Sequence, residues 1–295
     1  MTVASLADVR GRRRLARRKL TSRLMLGLAG AMAVIAVIPL VWIIGYTLIE
    51  GSKQLSLTFL TSLPTPVGVE GGGIANAIVG SFIVVGMGLL IAAPVGLMVG
   101  MYAAARPDSR FGILIRFATD TLAGVPSIVM GIFAYTIVVL PQGHFSAFSG
   151  GVVLAFVMLP IIVRTTEEML KLVPGTLREG SLALGAAEWR TSLRVLIPAA
   201  LNGILTGLML AVARAAGEAA PMLFTAFGNP FMSTSLDQPI ATLPHTVFVY
   251  AISAYADWRE KAWATALVLI TIVLVLNVSA RLLTRWRARN LGTAR

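Results

Sequence analysis

The sequence contains no cysteine and only two histidines, His144 and His245. The lack of cysteine excludes disulfide bonds and thiolate metal sites, and two isolated histidines argue against a histidine-rich metal centre. Charged residues are also scarce: they make up 13% of the chain, about half of the roughly 25% found in ordinary globular domains. Hydrophobic residues make up 57%. This composition excludes an ordinary soluble enzyme and a disordered chain, and it predicts an all-α, polytopic membrane protein.

The sequence also lacks the glycine-rich loop G-x-x-x-x-G-K-[ST] that binds nucleotide phosphates. Its connections between apolar runs are too short for an ATPase domain, so we expect no catalytic site in this chain and no cofactor bound by it. What the chain has in excess is positive charge, with 25 Lys and Arg against 13 Asp and Glu, a net charge of +12. Where these charges lie decides between a nucleic-acid partner and a membrane topology signal.

Six apolar stretches are predicted to cross the membrane as helices. The first, at 24–49, is uncharged and would be about 39 Å long as a helix, enough for a hydrocarbon core of about 30 Å. It is longer than the apolar region of a signal peptide and has no convincing cleavage site, so we predict a retained anchor. The second, fifth and sixth spans are predicted at 74–104, 199–227 and 262–283. The third and fourth come from the apolar stretch 117–163, which the polar segment 141–151 divides, and the fourth continues to Arg164 and beyond.

The distribution of basic residues predicts the orientation of these spans. Most of them fall in segments that are cytoplasmic if the N-terminus is: eight in 1–23, three in 106–116, five in 164–194 and five from 281 onward. The opposite side carries only Lys53, Arg259 and Lys261. Six spans with both termini in the cytoplasm fit this asymmetry. We therefore interpret the basic N-terminal segment 1–23 and the basic tail 285–295 as topology signals that touch anionic lipid, and we expect no nucleic-acid binding.

A seventh uncharged stretch, at 240–256, is ambiguous. It has 17 residues and contains Pro244 and His245, which makes it short and poorly suited for a span. A seventh crossing would also place the arginine-rich tail on the outside. We predict that this stretch does not cross the membrane.

The connection at 174–198 is the longest one predicted on the cytoplasmic side. A Pro-Gly pair begins it, and from Thr176 the pattern is helical and amphipathic. One predicted helical face carries Leu177, Ser181, Leu184 and Glu188. Small residues fill the middle of the segment and permit close approach of another protein's backbone, and Pro198 is expected near the start of the fifth helix. The periodicity is compatible both with a connector helix on the membrane surface and with a docking helix.

The spacing in this connection resembles the EAA loop, E-A-A-x3-G-x9-I-x-L-P, of permease subunits of binding-protein-dependent ABC importers. Glu179, Gly185 and Pro198 match that pattern, while Gly180 and Ser181 replace its alanines. Val195 and Ile197 replace its isoleucine and leucine. In that family the loop docks into a groove of the ATP-hydrolysing subunit. The resemblance implies a type I ABC importer permease domain at 74–284, with a docking loop that contains Glu179, Gly180, Ser181, Leu184, Gly185 and Pro198.

Three further blocks resemble PstA-type phosphate permease subunits: GGGIANAIVGSFIVV (71–85), GVPSIVMG (124–131) and RAAGEAAPML (214–223). This resemblance implies a bacterial cytoplasmic-membrane permease that passes inorganic phosphate from an extracytoplasmic binding protein to the cytoplasm by alternating access. The implied partners are a second permease subunit, an extracytoplasmic phosphate-binding protein, and two ATPase subunits that use ATP and Mg.

Charges inside the predicted spans are the candidate substrate contacts. Arg214 lies about fifteen residues into the predicted fifth span, with Glu218 four residues later. An arginine at the bilayer centre costs about 2.5–3.5 kcal/mol, so it should face a cavity or a partner. Arg164 lies in the fourth span with Glu167 and Glu168 at the third and fourth positions after it. Local explanations remain open for both: an Arg214–Glu218 pair that fixes packing, and an Arg164 that snorkels to the helix end.

The functional interpretation joins these charges into one path. Arginine matches tetrahedral oxyanions and stays charged at any relevant pH. We predict that Arg214 and Arg164 form successive weak anion sites, with Glu218 and Glu168 as partial counter-charges that accept the proton of HPO4 and repel sulfate. In the resembled family, arginines and a glutamate at matching positions are implicated in phosphate passage. For Asp120 we predict a local pair with Arg116, four residues earlier.

Three other functions remain open from the sequence. The chain can be the permease of another oxyanion importer, for sulfate or molybdate. A secondary anion transporter is a different class, but such proteins have two recognisable halves and we find no internal repeat. A purely structural membrane subunit would not need a buried arginine.

Overall fold

The structure is a computed structural model that describes residues 3–69 and 71–292, with side chains for 15, 18–69, 71–279 and 282. Most basic side chains of the predicted segments 1–23 and 285–295 thus lie outside the described residues. Over the described part, α-helices follow one another as α1 (Val3–Gln54), α2 (Leu57–Thr61), α3 (Ala75–Ala105), α4 (Arg110–Gly124), α5 (Ser127–Ala134), α6 (Leu140–Gln142), α7 (Ala147–Lys171), α8 (Gly175–Ala183), α9 (Glu188–Thr191), α10 (Ile197–Ala216), α11 (Leu243–Ala251) and α12 (Ala256–Gly292).

Five continuous helical stretches in the described residues are long and apolar enough to cross a membrane: Arg18–Gln54, Ala75–Ala105, Ala147–Lys171, Glu188–Ala216 and Ala256–Ser279. A sixth candidate is the pair Arg110–Gly124 and Ser127–Gln142, whose halves are bent by 105°. The predicted all-α architecture with six spans is confirmed if this pair is one crossing. Between residues 3 and 292 the only β-type pairing outside helices is an isolated bridge between Phe227 and Ile240.

The predicted third span is therefore broken rather than continuous. Helix α4 ends at Gly124 and α5 begins at Ser127. Pro126 explains the break, because proline has no N–H to donate and disfavours the α conformation of the residue before it. The GVPS sequence carried this signal, although hydropathy alone predicts one uninterrupted span across it.

The chain divides into two compact units, Met1–Glu50 and Gly51–Arg295. The first unit is helical, and the apolar side chains of its predicted span 24–49 are largely exposed. The second unit contains the remaining candidate spans. Its centre is α7, of which two-thirds of the most apolar window (67%) is buried.

Helix α3 packs closely on α7 because small residues recur at every fourth position. The buried positions of this stripe are Gly88, Ala92, Gly96 and Gly100. A Cβ on Gly96 would lie 2.7 Å from Ile162 Cγ2, and one on Gly100 would lie 2.7 Å from Thr166 Cβ. Small residues let helix backbones approach where hydrophobic burial does not drive association, as in a bilayer. The stripe was visible in the sequence as a period of four.

The fifth span begins and ends earlier than the predicted 199–227. It runs from Glu188 to Ala216 and includes a π-helical turn at Ser192–Leu196, where Ile197 N–H donates to Ser192 O. Pro198 follows directly, and its missing N–H leaves the α-helical bond unavailable at that point. The prediction that Pro198 lies near the start of the helix is confirmed for α10, which begins at Ile197, although helical residues from Glu188 onward precede it in the span. The same arrangement recurs where the π turn Tyr135–Val139 precedes Pro141.

After Ala216 the backbone leaves the α-helix. A short 3-10 turn covers Ala220–Phe224, and the loop that follows returns to the start of α7, where Ala147 N–H donates to Gln238 O and Phe148 N–H donates to Leu236 O. Helix α11 then occupies only Leu243–Ala251. The predicted absence of a span at 240–256 is confirmed, because α11 is too short to cross and packs against α12.

Candidate functional site: charged residues in the spans and a cytoplasmic loop

Arg214 lies in the last turn of α10 and reaches a cavity of about 110 Å³. The α7 residues that line this cavity with it include Pro160 and Ile161, which lie near the midpoint of a helix that spans Ala147–Lys171. The cavity also touches Ala123 and Ser127, on the two sides of the α4–α5 break. Arg214 therefore lies level with the midpoint of α7, and it ends its helix instead of occupying the interior.

The pairing of Arg214 with Glu218 is present, but the two residues have different surroundings. Arg214 Nη2 lies 3.7 Å from Glu218 Oε1. The arginine side chain is 59% exposed in the isolated chain, whereas the glutamate side chain is 15% exposed. Glu218 lies beyond the helix end at Ala216, so the turn of the chain, and not one helical face, brings it back. At 3.7 Å the pair is longer than a hydrogen bond, and the guanidinium keeps donors for another group.

Two irregular segments meet beside this arginine. The 3-10 turn Ala220–Phe224 packs against α5, and a Cβ on Gly131 would lie 2.8 Å from Pro221 Cα. The two blocks GVPSIVMG and RAAGEAAPML thus form one structural unit. Non-helical backbone at membrane depth is tolerated only where protein buries it or where it lines a cavity. Met130, next to Gly131, lines the Arg214 cavity, so these irregular segments lie beside that cavity.

Arg164 joins two carboxylates on the exposed side of α7. Its Nη1 lies 3.3 Å from Asp120 Oδ1 and its Nε lies 3.3 Å from Glu168 Oε1. The side chains of Arg164, Asp120 and Glu168 are 47%, 60% and 55% exposed, respectively. The predicted pair of Asp120 with Arg116 is wrong, because both residues bond to α7 instead, Asp120 to Arg164 and Arg116 to Glu167. We call Asp120, Arg164 and Glu168 the open cluster.

Glu167, in contrast, is buried and belongs to a different ionic group. It accepts hydrogen bonds from Arg116 Nε at 2.7 Å and from Lys171 Nζ at 2.5 Å, and its side chain is 3% exposed. Arg116 also donates to the carbonyl oxygens of Pro107 and Ala103. We call Arg116, Glu167 and Lys171 the closed cluster. It connects α4, α7 and the end of α3, and the sequence did not reveal it, since neighbouring glutamates offer no signal of which one is buried.

Arg164 of α7 and Arg214 of α10 both lie beside the second half of α7. Arg164 is three and four residues beyond Ile161 and Pro160, which line the Arg214 cavity, and so lies about one helical turn, roughly 5 Å, closer to the end of α7 at Lys171. Ala123, in that cavity, is likewise three residues beyond Asp120 of the open cluster. The structure thus places the predicted path residues Arg214, Glu218, Arg164 and Glu168 at two successive depths.

The predicted docking loop is a helix, a turn and a second helix. Helix α8 ends at Ala183, and Gly185 has φ = +80°. Gly185 N–H donates to Leu182 O and Ala186 N–H donates to Ser181 O, the bond pattern of a Schellman motif that favours glycine at this position. The predicted single face with Leu184 and Glu188 is wrong, because α8 ends at Ala183, before both residues, and Glu188 begins a separate helix. Gly185 is required by its backbone conformation.

The rest of the loop presents its small and apolar residues outward. A Cβ added to Gly180 or Gly185 would have no atom within 4 Å, so both glycines face open space. Leu184 is 90% exposed, the largest value among the exposed large hydrophobic residues of the described chain. Glu179 and Pro198 are also exposed, whereas the Ser181 hydroxyl is 2.9 Å from that of Thr191 and holds α8 against α9. This surface is suited to a partner's groove.

Comparison with known proteins decides the family. The chain is 43% identical over 273 residues to the phosphate transport system permease protein PstA of Yersinia pestis, covering 92% of each chain. It is 44% identical over 266 residues to PstA of Haemophilus influenzae, covering 90% of this chain and 94% of that one. The chain belongs to the PstA family of ABC transporter permeases. This confirms the resemblance found in the sequence.

Two further matches agree with the PstA assignment. The broader family of binding-protein-dependent transport system inner membrane components matches residues 96–291. A chain of the inward-facing MetNI methionine ABC transporter superposes with a TM-score of 0.61 at 17% identity, covering 72% of this chain and 96% of that one. At this identity the likeness shows the fold, and the predicted type I ABC importer permease fold is confirmed. The apolar helices and the family together place this PstA-family chain in the inner membrane.

Proposed function

We propose that this PstA-family permease passes inorganic phosphate across the inner membrane, from an extracytoplasmic phosphate-binding protein to the cytoplasm. The phosphate transport function of its 43–44% identical relatives supports phosphate as the substrate. The observation that carries the proposal is the placement of two arginines at different levels along α7: Arg214 of α10 reaches the cavity at Pro160 and Ile161, and Arg164 of α7 lies about one turn further on, each with an exposed side chain. A chain that passes an anion through a bilayer needs such positive groups at intervals.

The ion pairs of both arginines support weak, successive anion sites. Arg214 has one carboxylate at 3.7 Å and Arg164 has two at 3.3 Å, which partly neutralise the arginines and leave donors free. Phosphate bound between them would leave again easily, as transport requires. Glu218 and Glu168 stand where a carboxylate can accept the proton of HPO4, and sulfate carries no proton to offer them. We therefore assign Arg214, Glu218, Arg164 and Glu168 to the substrate path.

The exposure of these charges in a single chain supports a paired permease. An arginine of which 59% is exposed cannot face lipid at mid-membrane without a large cost. A second permease subunit would cover this face, so that the path runs between the two subunits. Alternating access then opens the path to one side at a time through rigid-body motion of the two subunits.

The energy source in this proposal is a pair of separate ATPase subunits, which use ATP and Mg. This chain binds no cofactor and contributes no catalytic site. The exposed surface of Glu179, Gly180, Ser181, Leu184 and Gly185, followed by Pro198 in the next helix, docks into the ATPase subunits. Both termini then lie in the cytoplasm, on the side of the docking loop.

Uptake by the assembled complex in vesicles tests the proposal. Labelled phosphate should accumulate only with ATP and the binding protein, and it should continue when ion gradients are collapsed. Uptake that follows the ion gradient would indicate a secondary transporter. Sulfate or molybdate that replaces phosphate with equal efficiency would assign the chain to another oxyanion.

The docking role is tested separately by Gly185→Asp, with Gly68→Asp as a matched control at another glycine of positive φ (+82°) with open surroundings. Because Gly185 lies on the proposed contact surface, the variant should lose co-purification of the ATPase subunits. The control should keep it. Intact association and coupling in Gly185→Asp would place the ATPase contact elsewhere.

A further inference from the structure

A groove of about 750 Å³ lies between the cytoplasmic end of α3, the end of α7 and the docking loop. One of its walls is formed by α3 from Met98 to Ala105 and the following Arg106, and the opposite wall by the helical stretch from Glu188 to Leu196. The groove is separate from the Arg214 cavity and shares no residue with the proposed phosphate path. Neither the proposed ATPase docking surface nor the proposed phosphate path accounts for this groove.

The lining of this groove changes from apolar to basic along its depth. Met98 and Met101 lie in the spanning part of α3, and Arg106 follows about 12 Å further along for a helix that rises 1.5 Å per residue. On the other wall Leu196 is the deep residue and Trp189 the shallow one, about 10 Å apart by the same rise. Both walls therefore have their apolar residues toward the bilayer interior and their polar residues toward the cytoplasm.

The basic end of the groove has unused hydrogen-bond donors. Arg106 Nη2 and Arg178 Nη2 each lie 3.7 Å from one oxygen of Glu188, too far for a hydrogen bond. Neither guanidinium donates a hydrogen bond to any residue in the part of the chain that the structure describes, and their side chains are 62% and 41% exposed. Lys171, which donates to Glu167, also lines this end. Two guanidinium groups thus share one carboxylate at long range and keep their donors for a ligand.

We propose that this groove binds an anionic phospholipid, whose phosphate group lies between Arg106 and Arg178 and whose acyl chains follow Met98, Met101 and Leu196 toward the bilayer. The depth gradient argues for a lipid, since free phosphate would need only the basic end and would leave the apolar walls bare. Trp189 lies beside the headgroup position, and tryptophan favours the membrane interface. Basic residues near the cytoplasmic surface attract anionic headgroups.

The bound lipid would connect two cytoplasmic elements that have no strong contact of their own. Arg106 follows α3, whereas Arg178 belongs to α8 of the docking loop. A phosphate group that accepts hydrogen bonds from both would hold the docking loop against α3. The inference depends on the membrane location of these helices and not on which anion the permease transports.

Photo-labelling of the assembled complex tests the proposal. The complex is placed in nanodiscs of phosphatidylethanolamine that contain a phosphatidylglycerol analogue with a diazirine in its acyl chain, and labelled peptides are mapped by mass spectrometry. We expect labelling at 98–101 and 193–196. The double variant Arg106→Gln/Arg178→Gln should reduce it about 30-fold, the combined effect of two basic residues near an anionic surface.

The control is Arg110→Gln/Arg194→Gln, which removes the same charge from nearby residues that do not line the groove. It should label like the unchanged protein. Equal labelling in both double variants would overturn the proposal, because the attraction would then be general. Loss of labelling on addition of inorganic phosphate would assign the basic end to free phosphate instead, and absence of labelling in the complete complex would show that a protein subunit fills the groove.

Discussion

Glu167 and Glu168 are adjacent on α7, yet they belong to regions of opposite character. Glu167 lies in the closed cluster, 3% exposed, and accepts two short hydrogen bonds from Arg116 and Lys171. Glu168 lies in the open cluster, 55% exposed, and is 3.3 Å from Arg164. The same chemical group is a structural anchor at one position and a candidate transport residue at the next. A rotation of about 100° around the helix axis separates the two roles.

This difference shows how the permease can keep charges in its spans for two purposes. A buried charge must be paired tightly, since an unpaired one is very costly. A charge on the exposed face can be paired loosely, because a partner subunit or a substrate completes its surroundings. Tight pairing therefore marks charges that hold the helices together, and loose pairing marks charges available to a ligand.

The largest expected effect is the loss of stability in Glu167→Gln. The substitution leaves Arg116 and Lys171 without their carboxylate, which we expect to destabilise the folded chain by about 3 kcal/mol, at the low end for a broken buried ion pair because both cations retain some solvent contact. Thermal unfolding of the purified complex measures this. Glu168→Gln is the matched control, and an equal loss of stability in the two variants would remove the distinction between the clusters.

The next effect is on transport without a loss of stability. Arg214→Ala removes a charged donor worth about 1.5–3 kcal/mol, so phosphate uptake should fall roughly 10- to 100-fold. Assembly, measured by co-purification, should be unchanged, since Arg214 is 59% exposed and has only one long ion pair. Arg214→Lys keeps the charge but not the fork and should recover part of the uptake. Normal uptake in Arg214→Ala would exclude this residue from the path.

A smaller effect is expected at Glu168. Glu168→Gln removes a loosely held carboxylate and should change stability by no more than about 0.5 kcal/mol. If Glu168 accepts the proton of HPO4, the variant should discriminate less against sulfate, which competition of sulfate with labelled phosphate uptake measures. Unchanged discrimination would leave Glu168 with only its ion pair to Arg164.

The smallest effect concerns Asp120, whose partner local spacing did not predict. A double-mutant cycle of Asp120→Asn and Arg164→Gln should give a coupling energy of about 0.2–1 kcal/mol, as for other exposed ion pairs. The same cycle with Arg116→Gln in place of Arg164→Gln should give none. Thermal unfolding supplies the values, and coupling of Asp120 to Arg116 alone would contradict the structure.

Most of the membrane architecture could be predicted because it depends on local composition. Apolar length and the placement of Lys and Arg were enough for the number of spans and for the exclusion of 240–256. The exact limits of the fifth span were wrong because helical hydrogen bonds continue through the charged residues before Pro198 and stop at Ala216, where hydropathy does not change. The break at Pro126 had a local signal in GVPS, but hydropathy averages over it.

The residues of the candidate site also divide into those that the sequence could identify and those whose contacts it could not predict. Arg214 and Glu218 could be found from their charge alone, since charges in spans are rare. The sequence could not predict two ion pairs, Asp120 with Arg164 and Arg116 with Glu167. Those contacts join α4 to α7 across 44 and 51 positions of sequence. Local spacing favours partners four residues apart, and the packing of the two helices overrides it.

By itself, then, the sequence determined the membrane class, the family, the docking-loop pattern and the set of charges to be explained, because each of these is expressed in composition or in short-range spacing. Only the tertiary structure decided which charges are buried and which are open. That outcome depends on the period-four stripe of small residues, which brings α3 against α7 and determines which side of α7 is covered. Glu167 lies on the covered side and Arg164 on the open one, and the proposed path follows from that difference.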